Sequence, residues 1–171
     1  MLQSIIYERE MLNEQASLEV SSKWGNRQTI NGPILTLPVV YEYQEKEKED
    51  DKEKIKTYQR TEYFHILPND LTINGDIAPR VLKRGIYESV VYESDLILNG
   101  HFNISPDKIQ ERVKQQNFKA IRWDKAFLTL GISDLRGIQE QLTIKLLDSY
   151  LVVLSGTKIN PIIVTGVTAN L

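Results

Sequence analysis

Residues 85–104, GIYESVVYESDLILNGHFNI, carry the clearest strand pattern in the chain. Their first half is rich in β-branched and aromatic residues, which are enriched in β-strands. In their second half, apolar and polar side chains alternate, as expected for a strand with two different faces. The apolar positions there are Leu96, Leu98, Phe102 and Ile104. Asn99-Gly100 is a turn signal, but it lies inside the alternation, so we predict that the strand continues through it.

Further strand patterns flank this stretch on both sides. Together they predict strands at 34–41, 55–67, 85–93, 95–104, 121–131, 140–147 and 149–155, a short segment at 71–77 that Asn74-Gly75 interrupts, and a final apolar segment at 161–167. Proline cannot donate a backbone hydrogen bond, so Pro38 indicates an edge strand or a bulge. Asn74-Gly75 is compatible with a tight hairpin turn or with a bulge inside a longer strand. Asp148-Ser149 is the expected turn between the last two strands.

Two segments have helical character. Residues 3–23 contain no Gly or Pro and are rich in good helix formers, which predicts a helix. Its apolar side chains fit one face only loosely, so we expect a weakly amphipathic arm that ends at Gly25 in a left-handed conformation. Ser105-Pro106-Asp107 combines a hydroxyl N-cap, a first-position proline and an acid in the first turn, which predicts a second helix up to about Gln116.

The order of these elements predicts the fold class. About seven strands against two helices, with the strands in runs, argue against alternating βαβ winding. We therefore expect a mainly β (α+β) protein: an antiparallel β-sandwich-like domain with an N-terminal helical arm and one further helix. The expected division is an arm at 1–24 and a β-rich domain at 25–171.

The charges argue against a nucleic-acid partner. The chain has 171 residues with 21 Lys+Arg and 23 Asp+Glu, a net charge of -2. Residues 45–54 are all charged, and we expect them to form a solvated hairpin loop. The remainder of the chain is balanced, so it offers no basic face to release counterions from phosphates.

Several classes of catalytic site are not expected. The chain has no cysteine, which excludes disulfides, thiol catalysis and thiolate zinc sites. His65 and His101 lack metal-binding spacing, so we expect no metal and no cofactor. Walker, GxGxxG, GxSxG and HExxH motifs are missing from the sequence. Neither a signal peptide nor an apolar run long enough to span a bilayer is expected.

The most distinctive local cluster is Ser133-Asp134-Leu135-Arg136-Gly137-Ile138. Arg136 could present its planar guanidinium to a carboxylate, and Asp134 could cap a turn. One interpretation is recognition of an anionic or hydroxyl-rich ligand. We favour the other interpretation, a structural turn with a local ion pair.

Two further candidate sites carry less weight. Glu88 with Glu93, or Asp95 with Asp124, could form the general acid and base of a glycosidase, but 23 acids make chance pairs expected. A groove lined by tyrosines could bind a sugar or a peptide, although tyrosine is also common in strands. Trp24 is expected to dock the arm on the body of the protein.

An ordered series of segments within residues 6–138 resembles the CreD family of bacterial inner-membrane proteins. They include WGNRQTINGP at 24–33, LPNDL at 67–71, RGIY at 84–87 and GISDLRGI at 131–138. The family offers no catalytic residue to carry over, so we assign architectural roles to its motif positions. These positions are Trp24, Gly25, Gln28, Gly32, Pro33, Gly85, Tyr87, Ser133, Asp134, Arg136 and Gly137.

The resemblance implies a layout and a role. In the family, an N-terminal membrane helix leads through an arm into an extracytoplasmic β-rich domain, and a membrane-helix bundle follows. The present chain would be a periplasmic fragment of that domain, tied to the inner membrane by flanking helices that it lacks. The implied role is non-enzymatic, in cell-envelope integrity and colicin tolerance. An alternative is a sugar- or peptide-binding β-sandwich module. An unpaired sheet edge would also predict a homodimer or strand exchange.

Overall fold

The computed structural model describes residues 2–25, 27–49, 52–114, 117–138 and 140–171. The elements in this part of the chain are α1 (Leu2–Trp24), β1 (Ile30–Glu49), β2 (Lys52–Ile66), β3 (Asp70–Arg84), β4 (Tyr87–His101), α2 (Pro106–Val113), β5 (Phe118–Ile121), β6 (Phe127–Ile132), β7 (Ile144–Leu146), β8 (Ser149–Leu151), β9 (Val153–Ser155) and β10 (Gly166–Asn170). Short 3₁₀ turns occupy Trp123–Lys125 and Leu135–Gly137. The mainly antiparallel β class, with an N-terminal helix and one further short helix, is confirmed.

The largest sheet forms the body of the molecule. Its strands follow the order β2-β1-β6-β10-β9, and β5 adds a further pairing to β1. Apolar side chains of β1 alternate onto one face, where α2 covers them. This core consists of Leu37, Val39, Tyr41, Ile109, Val113 and Ala126. The Tyr41 hydroxyl donates to the carbonyl of Val113 at 2.9 Å, which satisfies the polar end of a buried ring.

The charged run at 45–54 is not a loop, contrary to our expectation. β1 and β2 remain paired as far as Glu49 and Lys52, and only Asp50 and Asp51 of the run lie outside the described residues. The register places Glu45 opposite Lys56 and Glu47 opposite Lys54, and Glu47 forms an ion pair with Lys56 diagonally across the ladder. Attraction between Glu47 and Lys56 therefore supports the ladder within the charged run.

Strands β3 and β4 form a separate ribbon. Fifteen residue pairs join them, from Asp70 opposite His101 to Arg84 opposite Tyr87. The prediction that Asn99-Gly100 lies within a strand is confirmed. Asn74-Gly75 is neither a hairpin turn nor a bulge, because Gly75 pairs directly with Leu96 in an unbroken register. The turn lies instead at Gly85 and Ile86, so β4 begins later than the predicted strand at 85–93 and continues into the predicted strand at 95–104.

Pro38 lies neither in an edge strand nor at a bulge. It sits in β1 between two different neighbours, because pairing with β6 ends at Thr36 and pairing with β5 begins at Val39. The amide that proline lacks therefore falls in the gap between two partner strands, where no ladder bond is required.

Several predicted boundaries shift. The strand at 121–131 is divided by the turn at Trp123–Lys125, and the strand at 149–155 is divided between β8 and β9. The strand at 140–147 is reduced to β7, and the turn after it is one residue earlier than predicted. The apolar segment at 161–167 is mostly turns, with β10 beginning at Gly166.

The two helices begin where the sequence predicts. The end of the predicted second helix at Gln115 and Gln116 lies outside the described residues, and α2 itself ends at Val113. Ser105 occupies the N-cap position, but its hydroxyl makes no capping hydrogen bond. No described helix is long and apolar enough to cross a membrane.

Candidate functional site at the arm–body junction

Motif residues from distant parts of the sequence meet where α1 joins the sheet. We call this site the junction. It contains Trp24, Gly25 and Gln28 from the end of α1 and the segment after it, and Ser133, Asp134, Arg136 and Gly137 from the turn after β6. More than a hundred residues separate the two halves along the chain, so the sequence alone did not reveal the contact.

Hydrogen bonds tie the two halves of the junction together. The Thr29 amide donates to the Ser133 hydroxyl oxygen at 2.9 Å, and the Ser133 amide donates to the Thr29 carbonyl at 3.1 Å. The Asp134 amide donates to Oε1 of Gln28 at 3.2 Å. Each of these bonds joins a backbone group from one half to a group from the other, so the path of the chain at the junction is fixed.

Two glycines let the halves approach closely. Gly25 has φ +117°, the left-handed region predicted for the residue that ends α1. A Cβ atom at Gly25 would lie 3.1 Å from Cα of Gly137, closer than ordinary contact. A Cβ atom at Gly137 would lie 2.7 Å from Nε2 of Gln28. A side chain at Gly25 would therefore press on the backbone of the other half, and one at Gly137 would displace the Gln28 side chain.

An ion pair reaches from the turn to the end of the helix. Nε and Nη2 of Arg136 donate to the two carboxylate oxygens of Asp134 at 2.9 and 2.7 Å. Nη1 of Arg136 donates to the carbonyl of Ser22 at 3.4 Å, in the last turn of α1. Carbonyls at a helix C-terminus lack intrahelical partners and favour a cation. The bond to Asp134 raises the pKa of the Arg136 guanidinium.

Trp24 connects the arm to the ribbon. Its half-buried ring has the Arg80 guanidinium of β3 at 5.6 Å from its centroid, within cation–π range. Arg80 also pairs with Glu93 across the ribbon, and Arg84 forms an ion pair with Glu19 of α1. The last part of α1 thus contacts the ribbon as well as the turn after β6.

The other four motif residues lie outside the junction. Gly32 and Pro33 occupy the position in β1 where the register with β6 shifts. Gly85 forms the ribbon turn, and Tyr87 lines a groove of about 580 Å³ between the ribbon tip and the first half of α1. The structure therefore brings seven of the eleven motif residues together.

The histidines are in unrelated places. Nδ1 of His65 lies 3.0 Å from the Thr36 hydroxyl, and burial lowers the pKa of His65. His101 pairs with Asp70 at the base of the ribbon. Among the residues that the structure describes, no three His, Asp or Glu side chains are grouped as a metal site would require.

The candidate carboxylate pairs have other partners. Glu88 pairs with Lys83 and Glu93 with Arg80, and their odd spacing puts them on opposite faces of β4. Asp124 receives two hydrogen bonds from Arg122, which lower the pKa of that carboxyl group.

A shallow apolar concavity of about 340 Å³ lies beside the junction, and our sequence analysis missed it. It is lined by Leu135, Ile138, Gln141, Leu142, Val153, Ser155 and Val167. Its lining comes from four separate segments, so no local pattern could have indicated it.

Sequence comparison with known proteins identifies the family of this chain. The family described as "Inner membrane protein CreD" matches residues 1–171. The chain belongs to the CreD family. Its similarity to Inner membrane protein CreD of Escherichia coli (strain K12) is 28% identity over 140 residues, which is 81% of this chain and 28% of that protein. The chain thus spans less than a third of the length of this CreD relative. No solved structure matches it.

The resemblance seen in the sequence is therefore confirmed, and with it the assignment to an inner-membrane protein family. The matched region includes both halves of the junction and the whole ribbon. The junction is thus a feature of a CreD-family chain.

Proposed function

We propose that this chain is the periplasmic part of a CreD-like inner-membrane protein and acts without catalysis, as a structural or interaction module in cell-envelope integrity and colicin tolerance. Membership of the CreD family supports the inner-membrane assignment. The periplasmic side and the envelope role are our extension of that assignment.

One observation carries the non-catalytic role: the polar side chains of the junction bind one another. Both carboxylate oxygens of Asp134 accept from Arg136, and Oε1 of Gln28 accepts a backbone amide. The Gln28 bond joins the two halves of the junction, and the pair with Asp134 orients the Arg136 guanidinium that binds the carbonyl of Ser22. A site for substrate would need groups directed at a space that substrate can enter.

The arrangement suits a module that positions an arm. Arg136 binds the last turn of α1, and Trp24 at the same end contacts the ribbon. The direction in which α1 leaves the sheet is therefore set by groups on both sides. In an inner-membrane protein, a fixed arm of this kind would define the distance and orientation between the β-rich body and the bilayer.

A sugar- or peptide-binding role would use the same residues differently. It would need Asp134 or Arg136 directed at a concave surface, but each is bonded to the other. The nearest concavity is lined mainly by apolar side chains. The contacts therefore favour the positioning role.

The proposal predicts that breaking the junction impairs envelope function. Cells that produce the complete gene product should survive colicin treatment better than cells with an empty vector. Arg136→Met should reduce survival to the vector level, because it removes the bonds to both Asp134 and α1. The measurement is colony survival over a colicin dilution series.

Arg122→Met is the matched control. Arg122 makes the same two-bond contact with an aspartate two residues away, but its partner Asp124 lies outside the junction. The Arg122→Met variant should leave survival unchanged. The proposal would be contradicted if cells with the wild-type protein survived no better than cells with the empty vector. It would also be contradicted if the two variants reduced survival equally.

A further inference from the structure

The ribbon has one polar and one apolar face, and α1 covers the polar one. Residues directly opposite in an antiparallel pair share a face, and faces alternate along each strand. Arg80 and Arg84, which contact α1, and Tyr87, which lines the groove beside α1, belong to one face together with the buried Val91.

The other face is apolar and exposed to solvent. We call it the apolar ribbon face, and it consists of Ile73, Ile77 and Val81 of β3 and Val90, Tyr92 and Leu96 of β4. These side chains are 40–68% exposed. Leu98 on the same face packs against the core cluster of β6 and β10, so the face is anchored to the body at its base.

The exposed area of this face is at the upper limit for a monomeric protein. The six side chains expose the equivalent of about three whole residues, roughly 600 Å² at about 200 Å² per large side chain. Monomeric proteins rarely expose a larger continuous apolar patch. Within the described residues, β3 and β4 pair only with each other.

We propose that a second copy of this chain covers the apolar ribbon face, so that two ribbons pack face to face around a twofold axis. Such a dimer would bury roughly 1,200 Å² in total, the lower end of the range for specific interfaces. An interface around a twofold axis brings the same patch from both copies together. This inference concerns a different surface from the junction and does not depend on the proposed envelope role.

The charges favour a second copy over a bilayer. From Leu71 to Val81 and from Val90 to Gly100, the positions on this face carry no charged residue, so the face meets itself without repulsion. Lys83 and Glu88, which border it at the tip, neutralise each other. A surface that binds anionic lipid would instead be bordered by unneutralised basic residues.

The face is also a better contact than the strand edges. The edge strand β2 is rich in lysine and glutamate, which discourages edge pairing. β9 is three residues long, and β3 contains Pro79. β4 carries the acids Glu88, Glu93 and Asp95, and charged side chains discourage edge pairing. We therefore favour face packing over strand exchange as the basis of the homodimer.

Sedimentation equilibrium of the purified chain from 1 to several hundred micromolar tests this inference, with anionic vesicles in a parallel flotation assay. The wild type should form dimers and should not float with vesicles. Ile77→Lys should weaken dimerisation by at least about 100-fold, because each copy would bring an unpaired charge into the interface.

Ile97→Lys is the matched control on the polar face. Ile97 is 64% exposed and Ile77 is 68% exposed, and both lie in the middle of the ribbon. Dimerisation of the Ile97→Lys variant should equal that of the wild type. Circular dichroism spectra should show that both variants fold. A wild type that stays monomeric, equal weakening by both variants, or a monomer that floats with vesicles would each overturn the inference.

Discussion

At the scale of single residues, glycine decides how the junction closes. Gly25 combines a positive φ with backbone contact to Gly137, and both features depend on the missing Cβ atom. Gly25 and Gly137, two of the motif positions that carry the CreD resemblance, therefore matter because they lack a side chain. The sequence predicted that Gly25 ends a helix, because a helix end depends on nearby residues. It could not predict the contact with Gly137, which lies more than a hundred residues away along the chain.

Gly25→Ala should destabilise the fold by about 1 kcal/mol more than Gly156→Ala. Both glycines have positive φ, +117° and +100°, so both substitutions strain the backbone. A Cβ atom at Gly156 meets nothing within 4 Å, whereas one at Gly25 meets the backbone of Gly137. Urea denaturation of the two variants measures the difference. Equal losses of unfolding free energy would mean that the close approach does not matter.

At the scale of elements, α1 is held by its final turn and not by an apolar face. Ile6, Met11 and Leu18 are all about half exposed or more. The fixed contacts are those of Glu19, Ser22 and Trp24. A helix anchored in this way should be most stable at its C-terminal end, in agreement with the loose amphipathic pattern in its sequence.

Trp24→Ala should therefore loosen α1 without unfolding the sheet. Loss of the stacking with Arg80 should cost about 1 kcal/mol, so amide exchange in the last turns of α1 should accelerate about fivefold. Hydrogen exchange with mass spectrometry measures this, and Trp123→Ala provides the control because Trp123 lies in a different turn. Unchanged exchange in α1 after Trp24→Ala would show that the ring does not anchor the helix.

At the scale of the whole molecule, sequence patterns predicted the elements better than their associations. Alternation in 95–104 identified a strand with an apolar face, but whether that face is covered depends on distant packing. The run at 45–54 was expected to be a loop because isolated charges favour solvent, yet pairing with the adjacent strand stabilises it. The junction and the apolar ribbon face both depend on tertiary contacts, which cannot be predicted from a local sequence pattern.

We propose that this CreD-family chain lies on the periplasmic side of the inner membrane, and the labelling of a single thiol tests this placement most directly. No native cysteine of this chain competes with an introduced thiol, and the complete gene product without an introduced cysteine measures the background labelling. Ser149→Cys is exposed, and Ala169→Cys at the fully buried Ala169 is the control. Spheroplasts of cells that produce the complete gene product would be treated with a membrane-impermeant maleimide. We predict labelling of Ser149→Cys before lysis and of Ala169→Cys only after denaturation, whereas labelling of Ser149→Cys only after lysis would contradict the account.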